Sequence, residues 1–199
     1  MLPFPTLYPP TKRGFVSSTW GKDRSYRGGV HEGLDFPGLK GEPIRAAAEG
    51  IVAHVDLVDN SFAGKFVVIE HIGGVLSRYL HMNAVYVVPG QYIFSRQVIG
   101  ELGDTGTRFA NPHVHFDIKL KTKYLPTWIA MFGKPTTGLF GEKSGGVGIP
   151  AEPIMANATY SKSTRAFTEK LSVPFYHESM LDLLLGAAGL AGAVMVMRS

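Results

Sequence analysis

A chain of 199 residues suffices for one domain of ordinary size with appendages, and 45% hydrophobic residues suffice to fill its core. The absence of cysteine excludes a disulfide framework, a thiolate nucleophile and a thiolate metal site, so any metal must be held by histidine and carboxylate. A formal charge of +4 favours anionic polymers such as cell-wall material, but lysine and arginine are scattered and specify no nucleic-acid site.

In chain order, Met1-Leu-Pro-Phe-Pro-Thr-Leu-Tyr-Pro-Pro10 lacks the basic start and apolar run of a signal peptide and reads as an extended Pro-rich arm over residues 1–16. From residue 17 to about 120 the pattern is strand and turn. Ile51–Val55, Phe66–Ile69 and Val85–Val88 are short β-branched or aromatic runs separated by Gly or Pro, which predicts a small, mainly β domain with an antiparallel sheet. Residues 121–179 are expected to be a Gly/Pro-rich linker and extension, because Gly133, Gly138, Gly141, Gly145, Gly146 and Gly148 fall there with few periodic apolar positions.

The tail, 180–199, is expected to be an apolar helix. Leu183–Met197 carries no charge. At a rise of about 1.5 Å per residue it is short for a hydrocarbon core of about 30 Å, unless the helix starts at Met180. Its glycines suit close helix packing as well, so both a membrane contact and a contact with a virion protein or second subunit stay open.

Three clusters carry residues of metal-site type: His31-Glu-Gly-Leu-Asp35, Tyr79-Leu-His81 and His113-Val-His115. On a strand, His113 and His115 project from the same face, while Val114 and Phe116 anchor the other. His31 and Asp35 supply a nitrogen and an oxygen suited to zinc. They do not form the helical His-Glu-x-x-His motif, because the fifth position is Asp35 and Gly33 weakens a helix; Glu32 reads as a bystander.

Order and spacing make the set specific. His31-x-Gly33-x-Asp35-Phe36, Ala46-x-x-x-Gly50-x-Val52, His71 with Gly73 and Gly74, Tyr79-Leu80-His81, Gly100-x-x-Gly103-x-Thr105-Gly106 and Pro112-His113-Val114-His115-Phe116 together resemble the successive signatures of lysostaphin/LytM-type zinc metallopeptidases. Ser18-Thr-Trp-Gly21-x-x-Arg24 is similar to the opening of that domain. Asp117 stands where a Glu is frequent, and Asn60–Gly64 replaces a common Gly-Tyr-Gly turn.

The resemblance covers roughly residues 17–120. It implies a zinc-dependent endopeptidase acting on peptide cross-links of bacterial peptidoglycan, with His31, Asp35 and His115 as ligands of Zn2+ and His81 and His113 as catalytic histidines off the metal. The division of labour between those two stays open, as does the bond cut: family members cleave oligoglycine bridges or D-Ala to diaminopimelate links. His71 reads as a structural hydrogen-bonding residue, and His54 and His177 match nothing.

Two rival readings are an inactive relative acting as a binding or activator module, and a structural virion or membrane-associated protein that carries the domain for assembly. The full set of ligands argues against the first. Without an export segment, the expected routes to the wall are a phage particle or a holin, and the expected location is the virion or the bacterial cell envelope.

Overall fold

The computed structural model describes residues 4–24, 29–107, 111–133, 147–151, 154, 158–161 and 166–169. Among the described residues the strands are β1 (Asp23–Arg24), β2 (Gly29–Val30), β3 (Leu34–Pro37), β4 (Pro43–Arg45), β5 (Gly50–Asp56), β6 (Lys65–Glu70), β7 (Val75–Met82), β8 (Ala84–Val85), β9 (Tyr92–Ile93), β10 (Val98–Glu101), β11 (His113–Leu120), β12 (Val147–Ile149), β13 (Ala158–Ser161) and β14 (Ala166–Glu169), with one α-helix, α1 (Leu125–Phe132), between β11 and β12. The fold is mainly β and antiparallel, as the strand-and-turn pattern predicts.

The main sheet has seven strands in the order β12-β11-β7-β6-β5-β9, with β3 also paired to β11. One edge of β11 is shared end to end: β3 pairs with His113–Phe116 and β12 with Ile118–Leu120, while β7 runs along the other edge. The register sets Asp35 opposite His115 on one side and Leu80 opposite it on the other. A smaller sheet, β4-β10-β8, contributes Ile44 and Ile99 to the same core.

Period-two alternation explains why β11 is central. Val114, Phe116, Ile118 and Leu120 are fully buried in that core beside Tyr79, Ile69 and Val67. The intervening His113, His115, Asp117 and Lys119 must therefore lie on the opposite face. The site follows from this division of one strand into an apolar and a polar side.

Two further features lie outside the main sheet. The arm packs against the domain: Phe4 and Leu7 are buried, Leu7 N–H donates to the Ile154 carbonyl, and Tyr8 N–H donates to the Ala47 carbonyl. The segment read as linker contains α1, started by Pro126 in its first turn and ended at Gly133, whose φ is 79°. Trp128 of α1 is buried with its ring 5.3 Å from Phe4 and 4.6 Å from Phe132, and β12 adds a strand to the sheet. Glycine count predicts loop here, but Leu125, Trp128, Ile129 and Phe132 have a helical period that is only two turns long. The apolar tail from residue 180 onward, with His177, lies outside the described residues. Among the described residues no helix is long and apolar enough to cross a membrane.

Candidate metal centre

β3 and β11 bring the first and last motifs into one cluster. His31 Nε2 lies 3.0 Å from Asp35 Oδ1 and 3.0 Å from His115 Nδ1, and the third side, His115 Nδ1 to Asp35 Oδ1, is 2.9 Å. Tetrahedral zinc with bonds of about 2.0–2.1 Å would set such atoms about 3.3 Å apart, so a small relaxation of this triangle accommodates the ion. All three residues are largely enclosed, with His31 and Asp35 buried.

The outer contacts decide which atom each ring offers. His31 Nδ1–H donates to the Thr19 carbonyl at 2.9 Å, with Ser18 Oγ 3.0 Å from the same nitrogen, so Nε2 carries a bare lone pair. His115 Nε2 lies 3.3 Å from Asp117 Oδ2. A proton held there leaves Nδ1 for the centre. Asp117 is itself gripped by Arg78 through two bonds of 2.7 Å. Gly33 is required because a Cβ would come within 2.6 Å of the Phe116 carbonyl and 2.8 Å of His115 Nε2.

Charge follows the same geometry. Burial works to raise the pKa of Asp35, but the hydrogen bonds with His115 and His31 outweigh it and hold the carboxyl far below its usual range. Burial likewise works to lower that of His115, yet the Asp117 and Asp35 carboxylates push it up to about 9. Both shifts share an origin in the close approach of the Asp35 carboxylate to the two imidazoles. The three atoms that converge are two nitrogens and a carboxylate oxygen, a donor set suited to zinc.

His81 and His113 stand beside this triangle. Their rings are 4.7 Å apart, and the His81 ring is 6.2 Å from that of His115. His113 Nε2 is 3.9 Å from Asp35 Oδ1. Each ring spends its Nδ1–H on a backbone carbonyl, His81 on Thr105 at 2.8 Å and His113 on Asn111 at 2.7 Å. Both therefore keep Nε2 as a potential proton acceptor. Burial, followed by the neighbouring His113, pushes the His81 pKa down to about 4, so its ring is neutral over the ordinary pH range.

The two remaining described histidines, His71 and His54, stay apart. His71 is buried away from the cluster; its Nδ1–H donates to the Glu49 carbonyl at 2.6 Å, and its Nε2 is 2.7 Å from Ser77 Oγ. His54 lies on the outside of β5, its ring 5.4 Å from that of Phe66. Glu32 accepts from Lys119 Nζ at 3.2 Å and joins no metal cluster among the described residues. Sequence reasoning missed Arg78, whose pairing with Asp117 depends on the β7–β11 register across 39 residues. It noted Asp117 only as a departure from a familiar pattern.

Comparison with known proteins fits this geometry. The sequence profile of peptidase family M23 matches residues 29–126, which span β2 to the start of α1 and contain every residue of the cluster and of the His81–His113 pair. This stretch resembles a peptidase family M23 domain. It is 33% identical over 115 residues to the peptidoglycan DD-endopeptidase ShyA of Vibrio cholerae, covering 56% of this chain and 26% of that protein, so the chain spans about a quarter of the relative's length. A crystal structure of a zinc-containing peptidase from Vibrio cholerae is 31% identical with a TM-score of 0.50, covering 59% of this chain and 36% of that one. The catalytic domain of lysostaphin from Staphylococcus simulans shares the fold, with a TM-score of 0.53 at 22% identity, covering 69% of this chain and 89% of that domain.

Proposed function

We propose that this M23-like domain is a zinc-dependent endopeptidase that cuts peptide cross-links of bacterial peptidoglycan. The observation that carries the reading is the set of four histidine rings, each with one nitrogen engaged by a carbonyl or carboxylate and the other left for the centre. A structural histidine cluster has no need of this arrangement. A metal site with two accessory bases does.

His31 Nε2, Asp35 Oδ1 and His115 Nδ1 would hold the zinc and leave a coordination position open. Bound there, zinc supplies Lewis acidity, which makes water acidic enough to ionise near neutral pH and polarises a carbonyl. His81 and His113 take up the proton of the attacking water and donate to the developing oxyanion.

The substrate assignment draws on ShyA, which is named for DD-endopeptidase activity. We extend that activity to this chain: the bond cut joins two D-configured centres, as in D-Ala to diaminopimelate links. The test is digestion of purified walls of two chemotypes, one with direct links and one with oligoglycine bridges, followed by mass spectrometry of the fragments. Release of monomeric stem peptides from the directly linked wall alone is expected. Cleavage within oligoglycine alone would overturn the bond assignment, and cleavage of neither would overturn the enzymatic reading in favour of a binding or assembly module. Delivery in a phage particle is a further proposal; so is membrane attachment through the tail, which is tested by flotation with liposomes of the full chain and of a chain ending at residue 179.

A further inference from the structure

The motif Gly103-x-Thr105-Gly106 supplies no metal ligand and neither member of the histidine pair, yet its contacts converge on His81. His81 adopts a φ of 65°, a left-handed conformation uncommon for a residue with a Cβ, and it does so at the position assigned a proton-transfer role. Three segments hold it there. Its backbone N–H donates to the Ala63 carbonyl at 3.0 Å, and its ring Nδ1–H donates to the Thr105 carbonyl at 2.8 Å. The Thr105 hydroxyl accepts from Lys65 N–H at 3.0 Å and donates to the carbonyl of Met82, the residue after His81, at 2.9 Å. Gly106 N–H donates to Asp59 Oδ1 at 2.7 Å, which ties this turn to the 59–64 loop from outside. Gly64, at φ 60°, sits so close beneath Thr105 that a Cβ would overlap its carbonyl and hydroxyl.

We infer that Thr105 is a positioning residue for His81, locked by Asp59 and by the bare backbone of Gly64, and that this clasp fixes both the direction of the imidazole and the nitrogen that carries its proton. The inference rests on the reading of His81 as a catalytic residue. The clasp works by chemistry as well as by packing: a carbonyl only accepts, so the proton must sit on Nδ1, and Nε2 is left for the reaction. Fixing the ring on the Thr105 carbonyl and the backbone on the Ala63 carbonyl also removes the rotational freedom that would otherwise have to be lost in each turnover.

The test compares Thr105→Val, Thr105→Ser and Asp59→Ala in the full chain, with His81→Ala as reference, on a soluble cross-linked muropeptide dimer. Thr105→Val should lower kcat by up to about 100-fold, the size of a roughly 1 Å misplacement of a reacting group, with KM and zinc content unchanged. Thr105→Ser keeps the hydroxyl and should restore turnover. Histidine side-chain nitrogen NMR should show a single Nδ1–H tautomer for His81 in the wild type and a mixture in Thr105→Val, with or without metal. Asp59 is at the surface, so Asp59→Ala keeps the test open if Thr105→Val fails to fold; it should lower kcat by a smaller factor in the same direction. Wild-type turnover in Thr105→Val and Asp59→Ala alongside an inactive His81→Ala would overturn the clasp alone. So would loss of zinc together with turnover. A fully active His81→Ala would overturn the role of His81 itself, and the clasp with it.

Discussion

The two faces of β11 are built from alternate residues of the same eight and obey different rules. On the core side, Val114, Phe116, Ile118 and Leu120 contribute by shape and by leaving water, and no partner is specific. On the other side, His113, His115, Asp117 and Lys119 are held in place by charge and hydrogen bonds: His115 by Asp35 and Asp117, Asp117 by Arg78, Lys119 by Glu32. Two of these polar residues, Asp117 and Lys119, are as buried as the core. A buried charge is tolerated only when paired, so the polar face is a chain of dependencies in which each residue needs the next. Rigidity comes from the apolar face and chemistry from the polar one.

That contrast can be broken most forcefully at a ligand. Asp35→Ala or His115→Ala should reduce bound zinc from about one per chain to near none and abolish hydrolysis, because two remaining ligands hold zinc poorly. Metal-free protein should keep its β-sheet signal by circular dichroism, since the core side is untouched; unfolding of these variants would show that the two faces are not separable.

The complementary experiment is Phe116→Ala. It removes a fully buried ring packed 5.4 Å from Tyr79 and 6.3 Å from Phe36, and should cost about 3–5 kcal/mol in denaturant unfolding of the metal-free protein. Zinc affinity of the folded fraction should change far less than in the ligand variants.

His71 sharpens the comparison, because it is a polar residue on the core side. Burial lowers its pKa from 6.5 to about 4. Above pH 6.5 the ring is neutral in folded and unfolded chains alike. Below that, the unfolded chain binds the proton first, so stability is lost as pH falls from 6.5 towards 4, by about 3 kcal/mol from this group at most. Urea titrations across this range should show that slope in the wild type and a shallower one in His71→Asn.

The smallest effect is expected one contact away from the metal. Asp117→Asn should weaken zinc binding by about 10- to 100-fold, measured by competition with a chelator, because His115 loses the carboxylate that holds its outer nitrogen. No change in affinity would reduce the Arg78–Asp117 pair to a packing role.

Much of this is legible in the sequence. Alternation of His113 and His115 with Val114 and Phe116 predicts a strand with two unlike faces, and the resemblance to lysostaphin/LytM-type peptidases implies the grouping of His31, Asp35 and His115. What stayed hidden depends on register or on very short elements. Nothing local in Arg78 announces that β7 places it opposite Asp117. Thr105 lies in a motif visible in the sequence, but its hold on His81 passes through a backbone carbonyl, which every residue has. The helix α1 has only eight residues, too few for its period to stand out from the glycines that follow.

The most direct test of the central claim is metal analysis joined to hydrolysis on one preparation. Protein purified without added metal should contain about one zinc per chain; a chelator should remove both zinc and release of cross-linked muropeptides, and added zinc should restore both. Protein that holds no metal and still cleaves the wall would contradict the account.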